Sequence, residues 1–176
     1  DEDFFKTVYC VKDTDNTAGS RNGFVAVISL NDVCSDYNEH INRLENEYTI
    51  SRYLASQCPS LRPALSLSQF DGFPAIFLEW AAGKTLSKWI KEVHQETSLS
   101  NNHSTIICER DMTIMLKLAC TITTALGELH HAGATHNNLT SSKIIVDEMD
   151  GGDNILVKVI GLGSASLQTD SSENFS

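Results

Sequence analysis

Two stretches near the start of the chain arrange apolar residues in the way that β-strands do. Residues 7–12 alternate between apolar and polar side chains, and residues 23–30 are rich in β-branched and apolar ones. A polar stretch over residues 13–22 separates them. The pattern therefore predicts two strands that pair as an antiparallel hairpin. A further apolar run over residues 74–80 predicts another strand.

From about Glu39 the period changes to that of a helix, with apolar residues on one stripe. This helix must end near Cys58, because Pro59 restricts the residue before it and cannot continue the hydrogen-bond ladder. A second, shorter helix is predicted after Thr85, which is a suitable N-cap residue. Residues 94–105 are rich in Ser, Thr, Asn and His without a period, so they are predicted to form a surface loop.

The clearest helical period in the sequence follows Asp111, which is expected to cap the helix. Gly133 suits the left-handed position just past its end. Two short strands are then predicted over residues 143–147 and 155–160, and the polar tail from Ser164 is expected to be loose. The alternation of strands and helices gives an α+β fold class.

Charge and cysteine content narrow the class of protein. Thirteen Lys and Arg against twenty-three Asp and Glu give a net charge of −10, which disfavours binding to nucleic acid or to anionic membranes. The five cysteines form no Cys-x-x-Cys pair, which indicates free thiols in a reducing, cytoplasmic compartment. We expect no membrane insertion, because no apolar run approaches the ~20 residues of a membrane span.

Several motifs then occur in a fixed order. Residues 25–28 read VAVI, residues 77–80 read FLEW, residues 136–146 read HNNLTSSKIIV, and residues 157–163 read VKVIGLG. They resemble V-A-I-K, the hinge, the catalytic loop H-R-D-L-x-x-x-N and the strand that runs into D-F-G of the protein kinase-like superfamily. More narrowly, residues 47–50 and 125–133 are similar to those of the N-terminal kinase-like domains of multidomain signalling proteins with an AAA-like ATPase and a sensor histidine kinase.

The resemblance implies a protein kinase-like fold within the α+β class. Residues 1–80 would form an N-lobe-like antiparallel sheet with helix C, without the strand of the glycine-rich loop. Residues 81–176 would form the first part of the helical C-lobe and end just after the D-F-G-like position. The chain would then be a truncated kinase fold.

The resemblance also shows where the chain departs from an active kinase. Ile28 stands at the position of the phosphate-binding lysine, and Asn138 at that of the catalytic aspartate. Lys143 replaces the asparagine that binds Mg²⁺, and Gly161 replaces the D-F-G aspartate. Because these groups supply different parts of one phosphoryl-transfer mechanism, no catalytic residue and no metal site are expected.

Other positions keep the residue types of the family, and the resemblance assigns roles to them. Without a lysine partner, Glu47 is expected to be a solvated or locally paired carboxylate, and His136 a structural, hydrogen-bonded histidine rather than a proton donor. Structural kinase motifs are implied at Glu47, His136, Leu139, Leu162 and Gly163, and nucleotide contacts at Ala26, Leu78, Glu79 and Trp80.

The resulting hypothesis is a catalytically inactive regulatory or scaffolding module in signal transduction. Its expected partners are other protein domains, and in the first place domains of the same larger signalling chain. One alternative is an ATP-binding Ser/Thr kinase with atypical catalytic residues. A second is a nucleotide sensor that binds ATP weakly and without Mg²⁺, and a cation near Ile28 that could approach a phosphate would favour it.

Overall fold

A computed structural model describes residues 6–30, 37–99, 109–149 and 154–168. The fold is α+β, and its first part is an antiparallel sheet with one helix packed against it. The four strands lie in the order β1-β2-β4-β3. They are β1 Lys6–Lys12, β2 Phe24–Leu30, β3 Ala64–Phe70 and β4 Phe73–Glu79, and the helix is α1 Tyr37–Leu54.

The second part consists of two helices and short strands. Its elements are β5 Lys84–Thr85, α2 Leu86–Leu99, α3 Glu109–His131, β6 Ala134–Thr135, β7 Ile144–Met149, β8 Asn154–Val159 and β9 Ser166–Leu167. One small sheet has the order β5-β7-β8, and another pairs β6 with β9. Single 3-10 turns at Ser141–Lys143 and Leu162–Ser164 flank the β7–β8 hairpin.

Several elements predicted from the sequence are confirmed. β1 and β2 pair antiparallel from Lys6 with Leu30 to Lys12 with Phe24. The helix α1 ends at Leu54, before Pro59, as expected. Thr85 caps α2, since its hydroxyl accepts the backbone N–H of Lys88 at 3.2 Å.

Three predicted boundaries are wrong. The loop predicted over residues 94–105 begins too early, because α2 continues to Leu99 and no Gly or Pro interrupts it. The helix α3 begins at Glu109, so Asp111 lies in its first turn rather than at its cap. The tail predicted to be loose from Ser164 has defined structure up to Gln168, because β9 pairs with β6 and Leu167 packs against the core. Residues beyond Gln168 lie outside the described part.

The apolar core is divided between the two parts of the fold. A smaller cluster between the four-stranded sheet and α1 contains Ala26, Ile28, Leu30, Leu44, Ala64, Ile76 and Leu78. A larger cluster around α3 and the β7–β8 hairpin includes Leu118, Leu129, Val146, Val159 and Leu162. Ile50 and Leu54 of α1 belong to this larger cluster, so α1 contributes side chains to both cores.

A short segment after α1 connects the two parts through backbone hydrogen bonds. Val159 of β8 donates its N–H to the Ser60 carbonyl at 2.8 Å, and Arg62 donates its N–H to the Val159 carbonyl at 3.3 Å. One residue later, Glu79 of β4 donates to the Pro63 carbonyl at 2.9 Å. Arg62 is therefore held at the junction between the β7–β8 hairpin and the four-stranded sheet.

Within α3, Met112–His131 is long and apolar enough to cross a membrane by length and composition. Core helices of soluble proteins meet the same criterion but are mostly buried, whereas 17% of this window is buried, including Leu118, Ala125 and Leu129 in the larger cluster. The expectation of no membrane insertion stays a prediction.

The burial pattern of α3 predicts very different responses at two of its leucines. Leu129 is completely buried, whereas Leu116 is 61% exposed. We expect Leu129→Ala to lower the free energy of unfolding by about 2–5 kcal/mol, because it removes buried methyl groups and leaves a cavity. Leu116→Ala, the matched control on the same helix, should change it by less than about 0.5 kcal/mol. Urea unfolding measures both, and equal losses would contradict the assigned faces of α3.

Candidate functional site

A cleft of about 540 Å³ lies where the four-stranded sheet and α1 face the turns that flank the β7–β8 hairpin. The four positions at which the sequence departs from the kinase pattern, Ile28, Asn138, Lys143 and Gly161, all line this cleft. The other lining residues are Lys6, Val8, Arg43, Glu47, Arg62, Ser142, Ile160, Gly163 and Ser164. The structure thus brings together residues that are far apart in the sequence.

The carboxylate of Glu47 faces Arg62 inside this cleft. Glu47 Oε1 lies 3.6 Å from Arg62 Nη2, and the two side chains are 4% and 8% exposed. Burial lowers the pKa of the Arg62 guanidinium, and the neighbouring Glu47 carboxylate acts in the opposite direction. Of the two alternatives expected for Glu47, solvated or locally paired, the first is therefore wrong. Its partner Arg62 comes from the segment after α1, fifteen residues away in the sequence.

Lys143 and Gly161 are complementary in shape. Gly161 has a left-handed backbone with φ of 75°. A Cβ atom built on it would lie 3.3 Å from Cδ of Lys143, tighter than an ordinary contact. The aliphatic stem of Lys143 therefore packs against the Gly161 backbone, at the point where a side chain at position 161 would begin.

The charges in the cleft are mostly positive. Lys6, Arg43, Arg62 and Lys143 line it, and Glu47 is the one carboxylate among the described lining residues. Arg43 also pairs with Glu39, at 2.6 Å. A site with this set of side chains offers donors to an anion, whereas divalent cations of the Mg²⁺ type bind to clusters of oxygen ligands. Across the described ranges, no three His, Cys, Asp or Glu side chains come together in a way that could hold a metal ion.

The loop that begins at His136 is organised by that buried side chain, which is 3% exposed. His136 Nε2 lies 3.0 Å from the Ile160 carbonyl, and the Asn138 N–H lies 3.4 Å from His136 Nδ1. These partners assign the proton to Nε2, since a carbonyl accepts and a backbone N–H donates. His136 thus links the loop to the turn after β8, the geometry of the structural role expected for it. Asn138 is exposed and lines the cleft.

The position of α1 over the cleft is fixed by Asn46 and Gly163. Asn46 Nδ2 donates to carbonyl oxygens of the 162–165 turn, at 3.1 Å from Gly163 and 2.9 Å from Ala165. A Cβ at Gly163 would lie 3.0 Å from the Arg43 carbonyl, so the close approach of α1 to this turn needs a glycine. Leu162 is buried in the larger cluster, whereas Leu139 is 38% exposed.

The residues expected to contact a nucleotide do not line the cleft, although Ala26 and Leu78 share an apolar cluster with Ile28, which does. Ala26 and Leu78 are completely buried, and Trp80 packs against their cluster. The Glu79 carboxylate accepts the Arg21 N–H at 2.8 Å and the Ser20 hydroxyl at 3.3 Å. These two hydrogen bonds hold the Glu79 carboxylate against the β1–β2 connection. The nucleotide role of this group stays a prediction.

Sequence reasoning missed several residues of the site, above all Arg62, Lys6, Arg43 and Asn46. One feature of the sequence singles out Arg62: it is a charged residue within the otherwise apolar stretch Leu61-Arg62-Pro63-Ala64-Leu65. Nothing in the spacing relates Arg62 to Glu47 or to Lys143, because the sheet and the hairpin bring them together in three dimensions. Comparison with models of known protein families and with curated proteins finds no match for this chain.

The buried ion pair between Glu47 and Arg62 predicts strongly non-additive effects of substitutions on the free energy of unfolding. Arg62→Met leaves the Glu47 carboxylate buried without its cation, and we expect a loss of about 3–5 kcal/mol in the free energy of unfolding. The double variant Glu47→Leu/Arg62→Met removes both charges and should recover most of that loss. Chemical denaturation of the parent, both single variants and the double variant gives the coupling energy. Additive losses would contradict a direct interaction between the two side chains.

A second prediction concerns Gly161. Gly161→Ala should destabilise the fold by about 1–3 kcal/mol, because an L-residue is strained at positive φ and its Cβ would press on Lys143. In a Lys143→Ala background the contact disappears while the strain remains, so the cost of Gly161→Ala should fall but not vanish. Thermal unfolding of the four proteins tests this, and an unchanged cost would show that Lys143 does not pack there.

Proposed function

We propose that the chain is a kinase-like domain without catalytic activity, which acts as a regulatory or scaffolding module in signal transduction. The order of elements supports this reading: a sheet with α1, a short connection, two helices, a loop that starts at His136, and a two-stranded hairpin. This is the order that the resemblance to the protein kinase-like superfamily implies. A cytoplasmic location and partners in the same larger signalling chain belong to the same proposal.

One observation carries the loss of catalysis. Ile28, Asn138, Lys143 and Gly161 all line one cleft, which supports the implication of the resemblance that they replace the lysine, the base and the two metal ligands of one site. An amide at Asn138 is not a base near neutral pH. The remaining carboxylate of the cleft, Glu47, is buried against Arg62. Phosphoryl transfer depends on positioned phosphates and metal ions, and this cleft offers a cation in place of a metal ligand.

The residues of the cleft bear differently on the two alternatives, the atypical Ser/Thr kinase and the metal-independent nucleotide sensor. An atypical Ser/Thr kinase would need a base and metal ligands that the described lining residues do not provide. The metal-independent sensor gains support from Arg62 and Lys143, because both are cations that line the same cleft as Ile28. The burial of Ala26 and Leu78 speaks against recognition of an adenine by those side chains.

The proposal predicts no phosphoryl transfer. Incubation with labelled ATP, Mg²⁺ or Mn²⁺ and a generic Ser/Thr substrate should give no turnover above a mock preparation, because the groups that stabilise the transition state are replaced.

Asn138→Ala, purified in parallel, serves as the control for contaminating kinases, since Asn138 is exposed in the cleft and its loss should not unfold the protein. Turnover by the parent chain that disappears in Asn138→Ala would show an active kinase. Equal traces in both preparations would come from a contaminant.

A further inference from the structure

The cleft has an excess of positive charge in a protein that is strongly acidic. The chain as a whole carries a net charge of −10, yet four cations and one carboxylate line this cleft. We propose that the cleft binds a compact oxyanion of the phosphate or pyrophosphate class, without a metal ion and without a nucleotide base. This goes beyond the proposed loss of catalysis, and it differs from the alternative of a nucleotide sensor because the ligand has no base.

The strongest observation is the state of Arg62. Its side chain is 8% exposed, and its nearest carboxylate, Glu47, lies 3.6 Å away and so does not form a short hydrogen bond. Its Nε–H is buried and has no hydrogen-bond acceptor in the described part of the chain. A buried donor of a charged group without an acceptor is rare and costly in a folded protein. Arg62 also lines the cleft, so an oxyanion bound there would lie beside its guanidinium, a group well suited to bind phosphate oxygens.

Lys143 supplies the second cation. Its stem packs against the Gly161 backbone, which limits the positions that its ammonium group can take. Such packing lowers the conformational cost of binding, because fewer side-chain rotamers are lost on contact with a ligand. Ser142 and Asn138 line the same cleft and add neutral hydrogen-bond donors. Proteins bind phosphate groups with arginine and lysine side chains and with hydroxyl or amide donors.

The surroundings favour a compact ligand over a nucleotide. The apolar side chains Ala26 and Leu78 have no exposed surface, and Trp80 packs against their cluster. Ala26 and Leu78 therefore offer no accessible surface to an adenine, whereas the cleft itself is lined by apolar side chains such as Val8, Ile28 and Ile160 as well as by its cations. A volume of about 540 Å³ leaves ample room for pyrophosphate with bound water.

Isothermal titration calorimetry with inorganic pyrophosphate and with inorganic phosphate, in EDTA and at constant ionic strength, tests this inference. We expect saturable binding of pyrophosphate with one site per chain, tighter than that of phosphate. ATP should bind no more tightly than pyrophosphate, since the base adds no contact. Mg²⁺ should weaken binding because it competes for the same oxygens.

Two variants assign the binding to this cleft. Lys143→Met keeps the stem against Gly161 and removes the charge, so the dissociation constant should rise at least ~10-fold. Lys91→Gln on α2 is the matched control: it removes one exposed lysine that does not line the cleft and should leave binding within about two-fold. The double variant Glu47→Leu/Arg62→Met removes the guanidinium without leaving an unpaired carboxylate and should also lose binding.

The outcomes separate this inference from the proposed function. No pyrophosphate binding at millimolar concentration, or equal binding by Lys143→Met and the parent, would overturn the oxyanion site and leave the non-catalytic proposal intact. Binding of ATP that is much tighter than that of pyrophosphate would overturn the absence of a base subsite. Turnover of ATP would instead overturn the proposed function.

Discussion

The buried ion pair between Glu47 and Arg62 is the interaction on which the junction of this fold depends. Glu47 belongs to α1, and Arg62 belongs to the segment that hydrogen-bonds both to β8 and, through Pro63, to β4. A buried charge is tolerated only where an opposite charge or hydrogen bonds compensate it, so the pair restricts how α1 can lie relative to the hairpin. The cleft is formed by the same elements, and its shape follows from this restriction.

Two residues of the cleft depend on each other for their packing. A glycine at position 161 provides the space that the stem of Lys143 occupies, and the lysine in turn places positive charge in the cleft. Arg62 is a further cation of the cleft that Ile28 also lines, and it comes from the segment after α1. The cations of the cleft thus come from distant parts of the chain.

Local patterns in the sequence predicted much of the fold. The β1–β2 hairpin, the strand β4, the end of α1 before Pro59 and the cap at Thr85 all depend on neighbouring residues, and the sequence contains that information. The extension of α2 to Leu99 was missed because polar composition alone does not end a helix. The site was predictable only in part: Ile28, Asn138, Lys143 and Gly161 were found through motifs. Arg62 and Asn46 were not, because their roles depend on contacts between distant segments.

The three-way contact of Asn46 with the 162–165 turn has a consequence for how far α1 can move. The side-chain amide of Asn46 donates to the carbonyl oxygens of Leu162, Gly163 and Ala165. Because Gly163 has no Cβ, the backbone of α1 at Arg43 can pack directly against this turn. An outward swing of α1 would break all of these contacts together and would also separate a buried pair of charges. The positions of α1 and of the 162–165 turn are thus coupled, because neither can shift without breaking hydrogen bonds to the other.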